Sequence, residues 1–221
     1  MNLSASLFPT AWHVFMAVLT ILILGLAARA APWKKLQTSS QLNLALGIAV
    51  VLMLMWSLKA GVKPGLNLHL LGAMAATLAL GAELALFVLG LALTGITLNS
   101  AVEWSAWPVN FVLMVAAPIG IASVLHRLIA RFLPAHFFVF IFVTSFVGSA
   151  ITVLLQGFLA SGAMAVAGAY TFDFLLAEYL PFFLLLGFAE AWLGGAVMTL
   201  LVVYRPDWVA AFDDKRYLLN K

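Results

Sequence analysis

The feature that most constrains this chain is a series of long segments without a charged residue. No Lys, Arg, Asp or Glu occurs before Arg29, between Lys35 and Lys59, or between Arg131 and Asp173. A helix needs about 20 mainly apolar residues to cross the hydrocarbon core of a bilayer. In lipid the backbone polar groups must also be satisfied within the structure, which favours helices. These segments therefore predict an all-α integral membrane protein.

The composition supports this fold class and excludes several kinds of site. Only 9 % of the residues are charged, against about 25 % in soluble domains. There is no cysteine, which excludes disulfides, thiolate metal ligands and cysteine nucleophiles. The net charge of +3 is small. Because the basic residues lie mostly on one side of the predicted spans, they indicate membrane topology rather than a nucleic-acid partner. The opening residues lack the basic region of a signal peptide, and we expect them to be retained.

Polar residues between the apolar segments divide the chain into seven predicted spans in one transmembrane domain, residues 1–221. Their approximate bounds are 10–31, 42–58, 68–81, 83–98, 106–130, 136–167 and 172–204. The third and fourth could instead form one long helix over 68–98. Pro181 is expected to kink the last span or to separate a short segment from it.

Charge distribution favours a turn near Glu83, and hence seven spans. With this turn, nine of the eleven Lys and Arg residues share one side, and only Lys59 and Lys63 lie opposite. With one unbroken helix, eight Lys and Arg residues would lie on one side of the membrane and three on the other. The turn also moves Glu83 away from the bilayer centre, where a carboxylate costs about 2.5–3.5 kcal/mol. The positive-inside rule then predicts an outside N-terminus and a cytoplasmic C-terminus in the inner (plasma) membrane.

Four potential metal donors are expected at the outer face of this bundle. They are the amine of Met1, the backbone amide of Asn2, and the imidazoles of His13 and His69. Such a nitrogen-rich set suits nickel, copper or cobalt, and binding would weaken at low pH because the ligands must be deprotonated. A hydrogen bond between helices is the structural alternative for each histidine.

Asn110 and Glu190, inside predicted spans, are two further candidate residues. An intramembrane carboxylate is by default a candidate functional group. Glu190 could handle ions directly, or it could accept hydrogen bonds from a neighbouring helix near Asn110. Asn110 itself is expected to join helices by hydrogen bonds.

Signatures of catalysis are missing from the sequence. It contains no HExxH, GxSxG or Walker GxxxxGK[ST] motif and no glycine-rich dinucleotide turn. We therefore expect no enzymatic activity and no covalently bound cofactor. If ATP drives transport, another subunit must bind it.

Four segments resemble motifs of the CbiM/NikM family, in the same order along the chain. They are the opening MNLSASLFPTAW, NLHLLGAMAATLALGAELAL from Asn67 to Leu86, PVNFVLM from Pro108 to Met114, and LLLGFAEAWLGGAVMTLLVVYRPDW from Leu184 to Trp208. Family members are membrane substrate-capture components of energy-coupling-factor ABC transporters for cobalt and nickel. The resemblance implies a coupling transmembrane subunit and ATPase subunits as partners, together with membrane lipid.

The resemblance also implies a seven-helix fold whose N-terminus inserts into its own outer face and coordinates the metal. The implied ligands are the terminal amine, the amide and imidazole of the second residue, and the histidine of the HLLG motif. Met1 and His69 match this set, but Asn2 stands where the family has histidine. Either His13 supplies the missing imidazole, or the scaffold has changed its cargo.

Two other functions remain open at the level of sequence. One is an accessory or scaffold subunit of another membrane complex that keeps the fold without moving metal. The other is a small electron-transfer unit with His13 and His69 as axial haem ligands.

Overall fold

The computed structural model describes residues 2–58, 60–63, 66–99 and 102–219. This part of the chain is mainly helical, as the apolar segments predict. The α-helices are α1 Thr10–Ala30, α2 Ser39–Ser57, α3 Ala73–Leu80, α4 Ala82–Leu98, α5 Trp107–Asn110, α6 Ala117–Phe132, α7 Gly148–Val166, α8 Phe172–Glu178 and α9 Leu180–Tyr204. Two antiparallel strands, β1 Ala60–Lys63 and β2 Leu66–Leu68, lie between α2 and α3.

Several short segments of other helical types connect or extend these elements. The 3₁₀-helices are Ala5–Leu7, Trp33–Gln37, Trp104–Ala106 and Pro206–Trp208. The π-helices are Phe111–Ala116, Val139–Val147 and Lys215–Leu219. The first π-helix joins α5 to α6 just before Pro118. Proline has no N–H to donate to the carbonyl four residues earlier, which accounts for a widened turn at this point.

Five helical segments in the described part of the chain are long and apolar enough to cross a membrane. They are Thr10–Ala30, Ser39–Ser57, Trp104–Phe132, Val139–Val166 and Leu180–Tyr204. α4 is apolar but shorter, with 17 residues. Many large apolar side chains on these helices are exposed, such as Ile21, Leu185 and Phe188. A surface of this kind matches lipid rather than water.

A break at Gly81 separates α3 from α4, at the position where the sequence predicts a turn. Gly81 has φ +85°, a conformation that side chains with a Cβ rarely adopt. Leu80 lies beside Lys35 and Asp207, whereas Leu98 lies beside Ser57 at the opposite end of α2. α3 and α4 therefore run in opposite directions.

The predicted span 68–81 needs a correction, because its first residues are not helical. Leu68 pairs with Ala60 in the two-stranded sheet, and the helix begins only at Ala73. Gly72, with φ +67°, turns the chain from the extended segment into α3. The last predicted span is also divided, since α8 ends before Tyr179 and Pro181 lies in the first turn of α9, where proline is tolerated.

Close packing of α7 against α9 depends on small residues. A Cβ at Gly194 would collide with the Ser149 side chain on α7, and one at Gly195 would collide with the ring of Phe146, in the π-helix that leads into α7. Small residues at such positions let membrane helices approach closely. The main buried cluster also contains Leu3 from the N-terminal segment, so this segment is part of the core.

Candidate metal centre

The N-terminal segment is fixed in the bundle by the side chain of Asn110. The Leu3 N–H donates to Asn110 Oδ1 at 2.8 Å, and Asn110 Nδ2 donates to the Leu3 carbonyl at 2.9 Å. A second bond from Nδ2 to the Ala106 carbonyl, at 3.1 Å, holds the amide in place. Asn110 is fully buried and Leu3 is 2 % exposed. The predicted structural role of Asn110 thus takes the form of a two-point bond to the backbone of residue 3.

The hairpin of β1 and β2 supports the same segment from the other side. Leu3 forms an antiparallel bridge with Leu66, and Asn67 Nδ2 donates to the Asn2 carbonyl at 3.4 Å. The sequence shows no strand pattern here, because β2 is only three residues long. These contacts place Asn2 next to the residues that lead to His69.

His13 also holds the N-terminal segment. Its Nδ1 lies 2.9 Å from the Ser105 carbonyl, and its Nε2 lies 3.1 Å from the Ala5 carbonyl. A carbonyl oxygen only accepts hydrogen bonds, so whichever ring nitrogen carries a proton donates to the carbonyl that it faces. The Glu103 carboxylate adds a bond from the Ala5 N–H at 3.0 Å. Both ring nitrogens of this predicted ligand therefore point to backbone oxygens.

His69 and Asn2 meet in the buried interior. His69 Nδ1 lies 2.9 Å from the Leu70 carbonyl, which must accept, so Nδ1 carries the proton. In the neutral ring Nε2 then has the lone pair that a metal ion needs. The Asn2 carboxamide lies 3.1 Å from Nε2. Each of these two residues is 4 % exposed.

The orientation of the Asn2 amide follows from hydrogen-bond chemistry. With Oδ1 facing the lone pair of Nε2, two acceptors would meet, and Asn2 Nδ2 is buried without a hydrogen-bond partner in the described structure. Turning the amide by 180° lets Nδ2 donate to Nε2. A bound cation offers the other solution, because Oδ1 and Nε2 could then both donate electron pairs to it.

Trp56 forms a wall of this site. Its ring lies 5.3 Å from the His69 ring, centroid to centroid, at an angle of 36°. Trp56 is completely buried, near the C-terminal end of α2. A tryptophan at this depth excludes water from one face of the imidazole. The sequence does not predict this contact, because Trp56 and His69 belong to different elements separated by the β-hairpin.

Glu190 fixes the loop that carries His69. Its carboxylate accepts hydrogen bonds from the backbone N–H groups of Leu71 and Gly72, the latter at 3.2 Å. Glu190 is 3 % exposed. The expectation that its partner would lie near Asn110 is wrong. Because Gly72 is in the left-handed conformation, two successive N–H groups can converge on one anion.

The donor set around His69 is small. In residues 2–58, 60–63, 66–99 and 102–219, no group of three His, Cys, Asp or Glu side chains could hold a metal ion. Any ion at His69 must therefore use amide or terminal groups as well. Met1, the predicted source of the amine, lies outside the described residues.

Comparison with known families decides what kind of protein this is. The family model described as the cobalt uptake substrate-specific transmembrane region, CbiM, matches residues 2–208. The chain belongs to the CbiM family. This is a family of transporter components rather than of enzymes, and the present member is a multi-pass membrane protein.

Solved structures give the same fold for this CbiM-family protein. One, described as a transition metal transporter, has a TM-score of 0.79 at 16 % identity, with 100 % of each chain covered. A truncated transition metal transporter has a TM-score of 0.78 at 16 % identity and covers 92 % of this chain and 99 % of its own. At this identity the likeness concerns the fold. A comparison with curated proteins gives no match.

Proposed function

We propose that this protein captures a divalent transition-metal ion at the outer face of the membrane, as the substrate-binding component of an uptake system. The observation that carries the proposal is the buried pair of Asn2 and His69. Nε2 of His69 has its lone pair directed to the Asn2 carboxamide. The family match extends over both residues.

Met1, Asn2 and His69 form the proposed site. A terminal amine, a backbone amide nitrogen and an imidazole nitrogen are donors suited to nickel, cobalt or copper. The Asn2 carboxamide oxygen would take the place of the imidazole that the family has at this position. Because both ring nitrogens of His13 are directed to carbonyl oxygens, we assign this residue to holding the segment.

The topology we propose has seven spans, with the N-terminus outside and the C-terminus in the cytoplasm. The opposite directions of α3 and α4 support it. So do contacts that bring the basic segments to one end: Gln41 donates to the Asp207 carbonyl, and Arg216 donates to the Ala130 carbonyl. The ends of α1, α6 and α9 carry Arg29, Arg131 and Arg205. By the positive-inside rule this end faces the cytoplasm of the inner membrane.

Separate subunits would supply the energy for uptake in this scheme. The chain has no nucleotide-binding motif, and the family description covers only a substrate-specific transmembrane region. We therefore propose that a coupling membrane subunit and ATPase subunits act with it.

Calorimetry with Ni²⁺ and Co²⁺ on the purified protein tests the proposed metal site. We expect His69→Ala to weaken binding at least tenfold, since one of few ligands is lost. His136→Ala is the matched control, because the His136 ring is only partly buried and accepts a hydrogen bond from the Phe138 N–H of its own loop. Equal affinity in the wild type and His69→Ala, or no binding by either, would remove the proposal.

An accessory role without transport is the second candidate. The absence of an imidazole at position 2 is the observation in its favour. This role predicts no metal in elemental analysis of the purified protein and stable co-purification with a partner that is not a transporter.

A further inference from the structure

An apolar groove opens to the membrane between α2 and α9, with α3 as its floor. Its volume is about 510 Å³, within the range of about 300–1,000 Å³ that is usual for small-molecule sites. Gly47 and Gly194 lie on its two walls, and Ala75 and Ala76 lie on its floor. α2 packs mainly against α4, and α9 mainly against α7, so the space between them remains unfilled.

The groove has the length of a lipid tail. On α2 its lining extends from Asn43 to Met55, which is about 18 Å at 1.5 Å per residue. The hydrocarbon core of a bilayer is about 30 Å thick, so the groove covers somewhat more than one leaflet. One end lies at Gly72 and Glu190, next to the loop that carries His69.

A polar pocket adjoins the other end of the groove. It has a volume of about 250 Å³, and both cavities are lined by Ala79. Lys35 and Asp207 line this pocket together with Thr38 and Gln41. One basic residue, Lys35, and one acidic residue, Asp207, thus line the same pocket. This pocket lies at the end of the bundle that carries most of the Lys and Arg residues.

We propose that the groove and this pocket together bind one aminophospholipid, with an acyl chain along α2 and the zwitterionic headgroup between Lys35 and Asp207. The Lys35 ammonium donates to the phosphate, and the ethanolamine ammonium donates to the Asp207 carboxylate. Phosphatidylglycerol would also place its phosphate beside Lys35, but it offers only neutral hydroxyl groups to Asp207 and leaves the carboxylate charge uncompensated. A choline headgroup has no N–H to donate. The pairing of charges therefore selects phosphatidylethanolamine.

Native mass spectrometry of the delipidated, full-length protein tests this site. Phosphatidylethanolamine, phosphatidylglycerol and phosphatidylcholine with identical acyl chains are titrated separately. We expect phosphatidylethanolamine to be retained best. Lys35→Ala should lower its binding about threefold, the size expected for one partly exposed charged contact. Lys34→Ala is the matched control, because Lys34 is exposed and does not line the pocket.

Three further variants and one control separate the headgroup from the tail. Asp207→Asn should shift the preference from phosphatidylethanolamine towards phosphatidylglycerol, whereas Asp214→Asn should not. Gly47→Leu, at a position where a Cβ meets no atom within 4 Å, should obstruct the groove and weaken all three lipids without loss of folding. Val51→Trp is the second tail variant, because Val51 lines the groove and is exposed.

Several results would overturn the proposal. They are equal retention of the three lipids, an equal effect of Lys34→Ala and Lys35→Ala, or an unchanged preference in Asp207→Asn. Cross-linking from position 47 to another polypeptide instead of to lipid would assign the groove to a partner helix. Metal affinity is not a readout here, so the lipid site and the metal site are tested separately.

Discussion

The carboxylate of Glu190 accepts a hydrogen bond from the backbone N–H of Gly72, with both of its oxygens 3.2 Å from that nitrogen. The Leu71 N–H bonds to the same group. The loop that carries His69 is thereby attached to α9, which is far from it in sequence. Any change in the Glu190 side chain should reach the proposed metal site through this loop.

Glu190→Ala should therefore destabilise the protein and weaken metal binding together. Two buried N–H groups would lose their acceptor, at a cost of about 1–3 kcal/mol each, and Glu190→Gln, which keeps one oxygen, should cost less. Thermal unfolding in detergent and Ni²⁺ calorimetry measure the two effects. Glu83→Gln is the control, in the first turn of α4. An unchanged melting temperature and affinity in Glu190→Ala would show that these bonds contribute little.

Asn2→His should raise the affinity for Ni²⁺ or Co²⁺ by at least tenfold. The substitution places an imidazole beside Nε2 of His69, where the carboxamide now lies at 3.1 Å, and restores a stronger nitrogen donor. Titration at fixed pH measures the change. Gln37→His, on the exposed 3₁₀-helix before α2, adds a histidine at the opposite end of α2 from Trp56 and the site. If the gain survives in the double variant with His69→Ala, the two residues do not share an ion.

Asn110→Ala should release the N-terminal segment. The Leu3 N–H and carbonyl would both lose a buried partner, which costs about 1–3 kcal/mol per group. Faster hydrogen exchange in residues 2–8 and weaker metal binding are the expected results. Asn99→Ala is the control, because Asn99 is exposed. Unaltered exchange at Leu3 would contradict the proposed anchoring role.

The C-terminal segment should lose stability in alkaline solution. Tyr217 stacks on Phe212 at 5.0 Å, and burial raises the pKa of its phenol, an effect that the nearby Arg216 partly offsets. In the unfolded chain the phenol ionises near pH 10. Above that pH the unfolded state binds fewer protons than the folded state, so stability falls as pH rises.

Tyr217→Phe should remove this alkaline dependence. Proteolysis of the C-terminal segment between pH 8 and pH 11, followed by mass spectrometry, measures it, with Tyr204→Phe as the control because Tyr204 is exposed. The same pH profile in the wild type and Tyr217→Phe would exclude this phenol as the cause.

The sequence predicts the parts of this fold that depend on local composition. Uncharged segments identify the long helices, and the distribution of Lys and Arg predicts the turn at Gly81. Asn2 and His69 could be brought together only by resemblance to a family. Helical periodicity does not give the rotation of a helix or the depth of a residue. The sequence therefore leaves the role of Glu190 open and does not predict the Leu71 and Gly72 N–H groups as its partners.

Contacts between distant, short segments escape the sequence for a different reason. The bridge of Leu3 to Leu66 and the tilted contact of Trp56 with His69 each join residues whose neighbours show no repeating pattern. The positive φ of Gly72, which redirects the chain after β2, is equally invisible in the pattern. A glycine in an apolar run indicates a possible turn but not its direction.

α9 is an unbroken helix from Glu190 to Tyr204, a distance of about 21 Å. Just beyond it, Trp208 donates to the Ser40 hydroxyl on α2. One rigid rod therefore connects the His69 loop with the opposite surface. A subunit that displaces Trp208 would thereby move the His69 loop. It would lower the affinity of the proposed metal site from the opposite side of the membrane, without contacting the ion.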